Sequence, residues 1–217
     1  MRIVNVGICG IGTVGSGVFN VLSRNLTEIN SRANCQINIS QIACRKDNPD
    51  IDATSTHVTR DIFDVAKNPD INIVVELIGG TTIAYELVMM ALKHGKHVVT
   101  ANKALIAEHG MSIFEEAESR GLLVCFEAAV AGGIPIIKSL REGLSANRIN
   151  WLAGIINGTT NFILSEMDAK GREFSDVLAE AQMKGYAEAD PTFDVEGIDA
   201  SHTVSYTHLT LPTKRIV

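Results

Sequence analysis

Gly10, Gly12 and Gly15 stand directly behind the first apolar run of the chain, residues 3–8, and directly ahead of a helical pattern reaching about Leu22. Few short patterns constrain a fold so tightly. The first glycine permits a tight turn out of a strand, the second lets backbone approach a pyrophosphate, and the third closes the helix onto the strand. The helix N-terminus then offers N–H groups and a positive dipole end to phosphate. Gly10-Ile11-Gly12-Thr13-Val14-Gly15 is therefore expected to hold a dinucleotide; the alternative is a glycine-rich turn with no nucleotide.

The rest of the chain repeats the same alternation. Strands are expected over 37–44, 71–78, 98–100 and 122–126, with helices over 85–94 and 107–120 ended by Gly95 and Gly121. The β-branched run at 71–78 reads as a strand buried on both faces. Strands separated by helices give βαβ units and a parallel sheet with right-handed crossovers. The expected class is α/β, a Rossmann-type doubly wound parallel sheet. From Glu127 the pattern changes to AAVAGGIPIIKSLREGL, a Gly/Pro-rich loop entering a helix, which marks a domain boundary.

Composition removes several function classes. With 217 residues, 46% hydrophobic content and 20% charge, the chain is long enough for one full domain and part of another. A net charge of -6, with no basic cluster among aromatics, argues against nucleic acid and anionic membranes. No apolar run approaches the roughly 18 residues of a spanning helix. Cys9, Cys35, Cys44 and Cys125 form no CxxC pair and read as reduced thiols. The first strand begins almost at residue 1, leaving no room for a signal peptide, so a cytoplasmic location is expected.

Cofactor choice turns on the end of the second strand. Asp or Glu there suits the ribose 2′-OH of NAD; this chain has Cys44-Arg45-Lys46, which suits a 2′-phosphate, with Asp47 diluting the charge. NADP is expected, with NAD as the alternative. Gly79, Gly80 and Thr81 follow the third long strand and either border the nicotinamide ribose or form a plain βα turn. Glu76 inside that strand is read as a structural hydrogen-bonding group. Lys103, just past another strand, is a candidate proton donor or anion ligand; the alternative is a surface lysine at a helix start, where the dipole disfavours a cation. Asn157, Thr159, Thr160 and Asn161 line a pocket or cap a helix through Thr160 or Asn161. Residues 185–199 crowd Glu188, Asp190, Asp194, Glu196 and Asp199 with hardly a cation, as the wall of a site for an amine-bearing small molecule would.

Taken in order, GICGIGTVGSG, VVELIGG, TANKALIA, FEAAVAGGIPII, GIINGTTNFIL and GYAEADPTFDVEGIDASH resemble the homoserine dehydrogenase family over residues 1–202. The resemblance implies reversible reduction of L-aspartate 4-semialdehyde to L-homoserine with NADPH or NADH, in threonine, methionine and isoleucine biosynthesis. It places Gly12, Thr13, Val14 and Arg45 on the dinucleotide, Lys103 near nicotinamide and substrate, and Glu188 and Asp199 on the substrate, with Glu188 facing its ammonium group. It also matches Glu127, Val130, Gly132 and Ile134 to a monovalent cation site, such as one for sodium, where the residues alone suggest a hinge. The family's dinucleotide domain would occupy 1–127 and part of its α+β substrate and dimerisation domain 128–202, the parent enzyme being a homodimer or larger.

Thr203 departs from this pattern, which has a lysine there as general acid. Residues 204–213, VSYTHLTLPT, resemble a translated sequencing adaptor, so 203–217 are expected to be a non-native tail and the polypeptide as written nearly inactive. Two rivals remain: another NADP-dependent aldehyde or imine reductase built on the same cofactor domain, and a non-catalytic dinucleotide sensor.

Overall fold

The computed structural model describes residues 2–187, 191–198, 200 and 201. It divides into two compact units, Met1–Ile134 and a second beginning at Pro135. The glycine-rich loop after Glu127 therefore goes with the first unit.

Six parallel strands form the sheet of the first unit: β1 (Ile3–Cys9), β2 (Gln36–Ala43), β3 (His57–Thr59), β4 (Ile73–Glu76), β5 (His97–Thr100) and β6 (Val124–Cys125). Their spatial order is β3-β2-β1-β4-β5-β6. The chain winds outward from β1 through β2 to β3, then crosses back to β4 and winds the other way. This reversal beside β1 is the topological switch point, where loops diverge and leave a crevice beyond the carboxyl ends of the strands. The doubly wound α/β fold expected from the sequence is the one observed.

Helices α1 (Thr13–Arg24), α2 (Leu26–Ala33), α3 (Ile62–Lys67), α4 (Thr82–Lys93) and α5 (Lys103–Ser119) connect the strands. Side chains alternate across the sheet, so each strand feeds two cores. Cys9, Ala43 and Val74 pack with Val65 of α3, Leu87 and Leu92 of α4, and Leu105 and Ile113 of α5. Val6, Ile8, Ile42 and Val75 pack on the opposite face with Phe19 of α1. Each fully buried Leu or Ile contributes roughly 1.5–3 kcal/mol, which makes the β1–β4–β5 centre the firmest part of the unit. Gly7 belongs to that packing: a Cβ there would lie 2.3 Å from Val65 Cγ1.

Two elements differ from expectation in a way that bears on the site. Helix α5 starts at Lys103, four residues before the expected start, because the Asn102 side chain caps it by accepting from Leu105 N at 3.0 Å. Strand β4 is shorter than the apolar run, since Ile78 N turns to the Glu76 side chain at 2.9 Å.

In the second unit, a short helix α6 (Ile136–Lys138) leads into a wide turn, Ser139–Gly143. Helices α7 (Gly158–Lys170) and α8 (Phe174–Met183) then form a hairpin, followed by the short α9 (Thr192–Val195). Ile163, Val177, Ala181 and Ala187 form the hairpin's core.

Candidate functional site

The loop joining β1 to α1 is shaped by contacts that only glycine tolerates. Gly10 has φ +97, and a Cβ there would lie 2.5 Å from the Leu77 carbonyl oxygen. A Cβ at Gly15 would lie 1.9 Å from the Gly10 carbonyl oxygen, so α1 packs against its own strand end. Gly12 is different: its φ is -82, and a Cβ would meet nothing within 4 Å. It needs no glycine for the fold, and it is the N-cap of α1 with no side chain capping the helix among the described residues. Thr13, Val14 and Gly12 are exposed, while Ile11 is buried as an anchor. A bare helix N-terminus beside a residue lacking a side chain without packing need is a cradle for an anion that approaches backbone closely.

The cradle is braced from the segment after β2. Asn48 donates from Nδ2 to the Ile11 carbonyl at 2.9 Å, and Asn20 of α1 donates to the Asp50 carbonyl at 3.0 Å. Sequence inspection missed Asn48; its place in the turn-forming KDNPD run was the available signal. Arg45 and Lys46 are exposed beyond the end of β2. Arg60, also missed, reaches the same strand end from beyond β3. It donates to the Cys44 carbonyl at 3.1 Å and pairs with Asp47 at 2.7 Å, contacts that raise its already high pKa, the Asp47 hydrogen bond first.

Across the switch point, Gly79 and Gly80 both take left-handed φ, +74 and +70, and lead to Thr81, the N-cap of α4. Glu76 is fully buried and accepts from Ile78 N and from Thr100 Oγ1, at 2.9 and 2.5 Å, as the structural reading of its sequence position requires. Asn102 donates from its backbone N to Thr100 Oγ1 at 2.9 Å and from Nδ2 to the Gly80 carbonyl at 2.6 Å. Lys103 comes next as the first residue of α5, half-buried at the sheet's carboxyl edge. Nearby Cys9 is held protonated, its thiol pushed far up by burial first and then by Glu76. The carboxyl edge thus brings the Gly10–Gly15 loop beside the strand leading to Gly80 and Thr81, and ties the latter to Lys103.

Farther along, Glu127 begins a single 3-10 turn, Glu127–Ala129, and its carbonyl accepts from Val130 N at 3.1 Å. Ala131 and Gly132 take left-handed φ, +55 and +57, ahead of Ile134. The expected cation ligands share one loop, and no cluster of three or more His, Cys, Asp or Glu suited to a metal occurs among the described residues.

In the second unit the cap of α7 is Asn157, accepting from Thr160 N at 2.7 Å, and not Thr160 or Asn161. Asn157 sits one residue before the first helical position, and its short side chain folds back onto the first turn. The same motif grips the acidic stretch at two points. Thr159 Oγ1 donates to the Tyr186 carbonyl at 2.6 Å, and Asn157 Nδ2 donates to Asp194 Oδ1 at 2.7 Å. Glu188, Asp190, Asp199 and Thr203 lie outside the described residues.

Residues 10–127 match the family described as homoserine dehydrogenase, NAD binding domain, and residues 135–208 match the one described as homoserine dehydrogenase. The chain is 68% identical over 205 residues to a homoserine dehydrogenase of Pseudomonas aeruginosa, covering 94% of this chain and 47% of the relative. Against that of Neisseria gonorrhoeae identity is 54%, with the same coverage. The structure superposes on a homoserine dehydrogenase from Thiobacillus denitrificans with a TM-score of 0.87 at 58% identity, covering 95% of this chain and 48% of that one. A hyperthermophilic archaeal homoserine dehydrogenase in complex with NADPH gives a TM-score of 0.83 at 27% identity, covering 96% and 70%. The chain spans about half the length of the curated relatives it matches. With an NAD(P)-binding sheet, its glycine cradle and the motifs of both domains matched along most of its length, the chain belongs to the homoserine dehydrogenase family.

Proposed function

We propose that the full-length enzyme represented by this chain serves NADP(H)-dependent interconversion of L-homoserine and L-aspartate 4-semialdehyde, with this chain supplying the dinucleotide site and part of the substrate side. The observation that carries the cofactor half is Gly12: a glycine the fold does not need, at a helix N-terminus that no described side chain caps. The amides of Thr13, Val14 and Gly15 would take the pyrophosphate, and Gly80 and Thr81 would border the nicotinamide ribose. Arg45, exposed at the end of β2 with Arg60 behind it, would take a 2′-phosphate through charge-assisted hydrogen bonds. The bound dinucleotide supplies or accepts the hydride.

On the substrate side, homoserine and its aldehyde carry an ammonium group, for which a carboxylate is the natural partner. Glu188 is the proposed ligand, with Asp199 a second, in a stretch that Asn157 holds at Asp194 and Thr159 at Tyr186. Lys103 would orient the substrate's reacting end. The loop at Glu127, Val130, Gly132 and Ile134, which belongs to the first unit, would hold a monovalent cation such as sodium. An ion pair to the ammonium favours an amino-acid aldehyde over a simple one, which sets this reading above another reductase or a sensor.

Isothermal titration of the chain with NADPH, then with L-homoserine in the presence of NADP⁺, tests both halves. Tight NADPH binding followed by homoserine binding that Glu188→Gln abolishes supports the proposal. Homoserine binding unaffected by Glu188→Gln would overturn the substrate assignment, and equal affinity for NADPH and NADH would overturn the cofactor preference.

A further inference from the structure

Glu76 is the one carboxylate with no exposed surface among the described residues, and a charge so placed is costly unless its hydrogen bonds are complete. Both oxygens are used. Oε1 accepts from the Ile78 amide, and Oε2 accepts from the Thr100 hydroxyl. Thr100 Oγ1 in turn accepts from the Asn102 amide, so its single hydrogen points at Glu76. Asn102 then reaches across to the Gly80 carbonyl with Nδ2. These four bonds close a ring running Glu76, Ile78, Gly80, Asn102, Thr100 and back to Glu76. It joins two loops that leave different strands, for Glu76 and Thr100 are register partners at the ends of β4 and β5.

The ring also governs the start of the next helix. Asn102 Oδ1 caps α5, so the same side chain that grips Gly80 fixes Lys103 as the first helical residue. Gly79 and Gly80, both left-handed and exposed, have no side chains with which to hold their own conformation. Their position depends on the Ile78 amide at one end and the Gly80 carbonyl at the other, and both belong to the ring.

We propose that Glu76 is a positioning residue which, through Thr100 and Asn102, holds the loop at 79–81 and the start of α5 at Lys103 in one fixed arrangement for the dinucleotide. This rests on the reading that these loops flank the bound dinucleotide. Apolar packing alone does not call for it, because a Val at 76 would fill the β4 pattern and bury no charge.

Thr100 provides the discriminating test. Thr100→Val keeps shape and loses the hydroxyl, whereas Thr100→Ser keeps the hydroxyl and loses the methyl. Amide hydrogen exchange at Ile78 and Asn102, without ligand, and NADPH affinity by nicotinamide fluorescence are measured on the full 217-residue chain, with Glu76→Gln as a third variant. Thr100→Ser should stay within about twofold of the parent, while Thr100→Val and Glu76→Gln should exchange about tenfold faster at both amides and bind NADPH about tenfold more weakly. Should Thr100→Val match the parent while Thr100→Ser is impaired, the site is packing only and the proposal falls. Should Glu76→Gln fail to fold, the Ser and Val pair still decides. If the parent itself does not bind NADPH, the dinucleotide reading fails, and the amide exchange alone then upholds or refutes the coupling of the two loops.

Discussion

Gly12→Ala separates the needs of the fold from those of the ligand. At φ -82 an alanine is unstrained, and its methyl would meet nothing within 4 Å, so no packing is disturbed. Replacing glycine at a compatible position reduces unfolded-chain entropy and stabilises by about 0.4–1 kcal/mol. The variant should therefore melt at or slightly above the parent temperature. Its methyl, however, would stand where a pyrophosphate must come close to the α1 amides. Holding the phosphate off lengthens one or two charge-assisted hydrogen bonds, each worth about 1.5–3 kcal/mol. A loss of about 3 kcal/mol corresponds to roughly a hundredfold rise in Kd. Fluorescence titration with NADPH, run beside a thermal melt, reads both effects. Unchanged affinity would refute the assignment of this loop to the pyrophosphate. Gly15→Ala is the contrast: its methyl falls 1.9 Å from the Gly10 carbonyl oxygen, so stability should fall by about 1–3 kcal/mol or more, with affinity falling too.

Arg45→Ala should weaken NADPH by about 10–100-fold while changing NADH less than about twofold, as for one lost phosphate contact; equal losses would remove Arg45 from the 2′-phosphate. Asn157→Ala removes the cap of α7 and the bond to Asp194, so the second unit should lose about 1 kcal/mol or more, with faster amide exchange around Asp194. The α7–α8 hairpin should also weaken in acid. Glu180, bonded first to Lys184 and then to Arg172, has its pKa lowered from 4.5 to about 2, so its stabilising contribution is complete above about 4.5 and fades as pH falls toward 2. Glu180→Gln should flatten the pH dependence of the hairpin's unfolding over that window, and an unchanged slope would contradict the role given to this network.

How much of the molecule is legible in the sequence depends on the physics of each signal. The β1 loop announces itself because two of its glycines answer to close backbone contacts and the third, Gly12, to none, and β-branched runs such as Ile73–Glu76 have few alternatives to a buried strand. Strand β3 and helix α3 give no comparable signal: His57–Thr59 is three residues long with two exposed side chains, and α3 has only six residues. Helix α5 begins ahead of its apolar pattern, so periodicity places its start too late; Asn102 sets its first turn. Arg60 cannot be placed from the sequence, since its meeting with Cys44 and Asp47 depends on β3 pairing beside β2. The acidic stretch is legible as chemistry, but its attachment to Asn157 and Thr159 joins residues 37 and 27 positions apart and is a product of the hairpin.

The most direct test of the dinucleotide's placement is amide hydrogen exchange of the chain with and without NADPH. Protection concentrated at Thr13–Ser16, at the turn of residues 78–82, and at the start of α5 is the predicted result. NADPH binding that leaves these three segments unprotected would contradict a site at the switch point of the sheet.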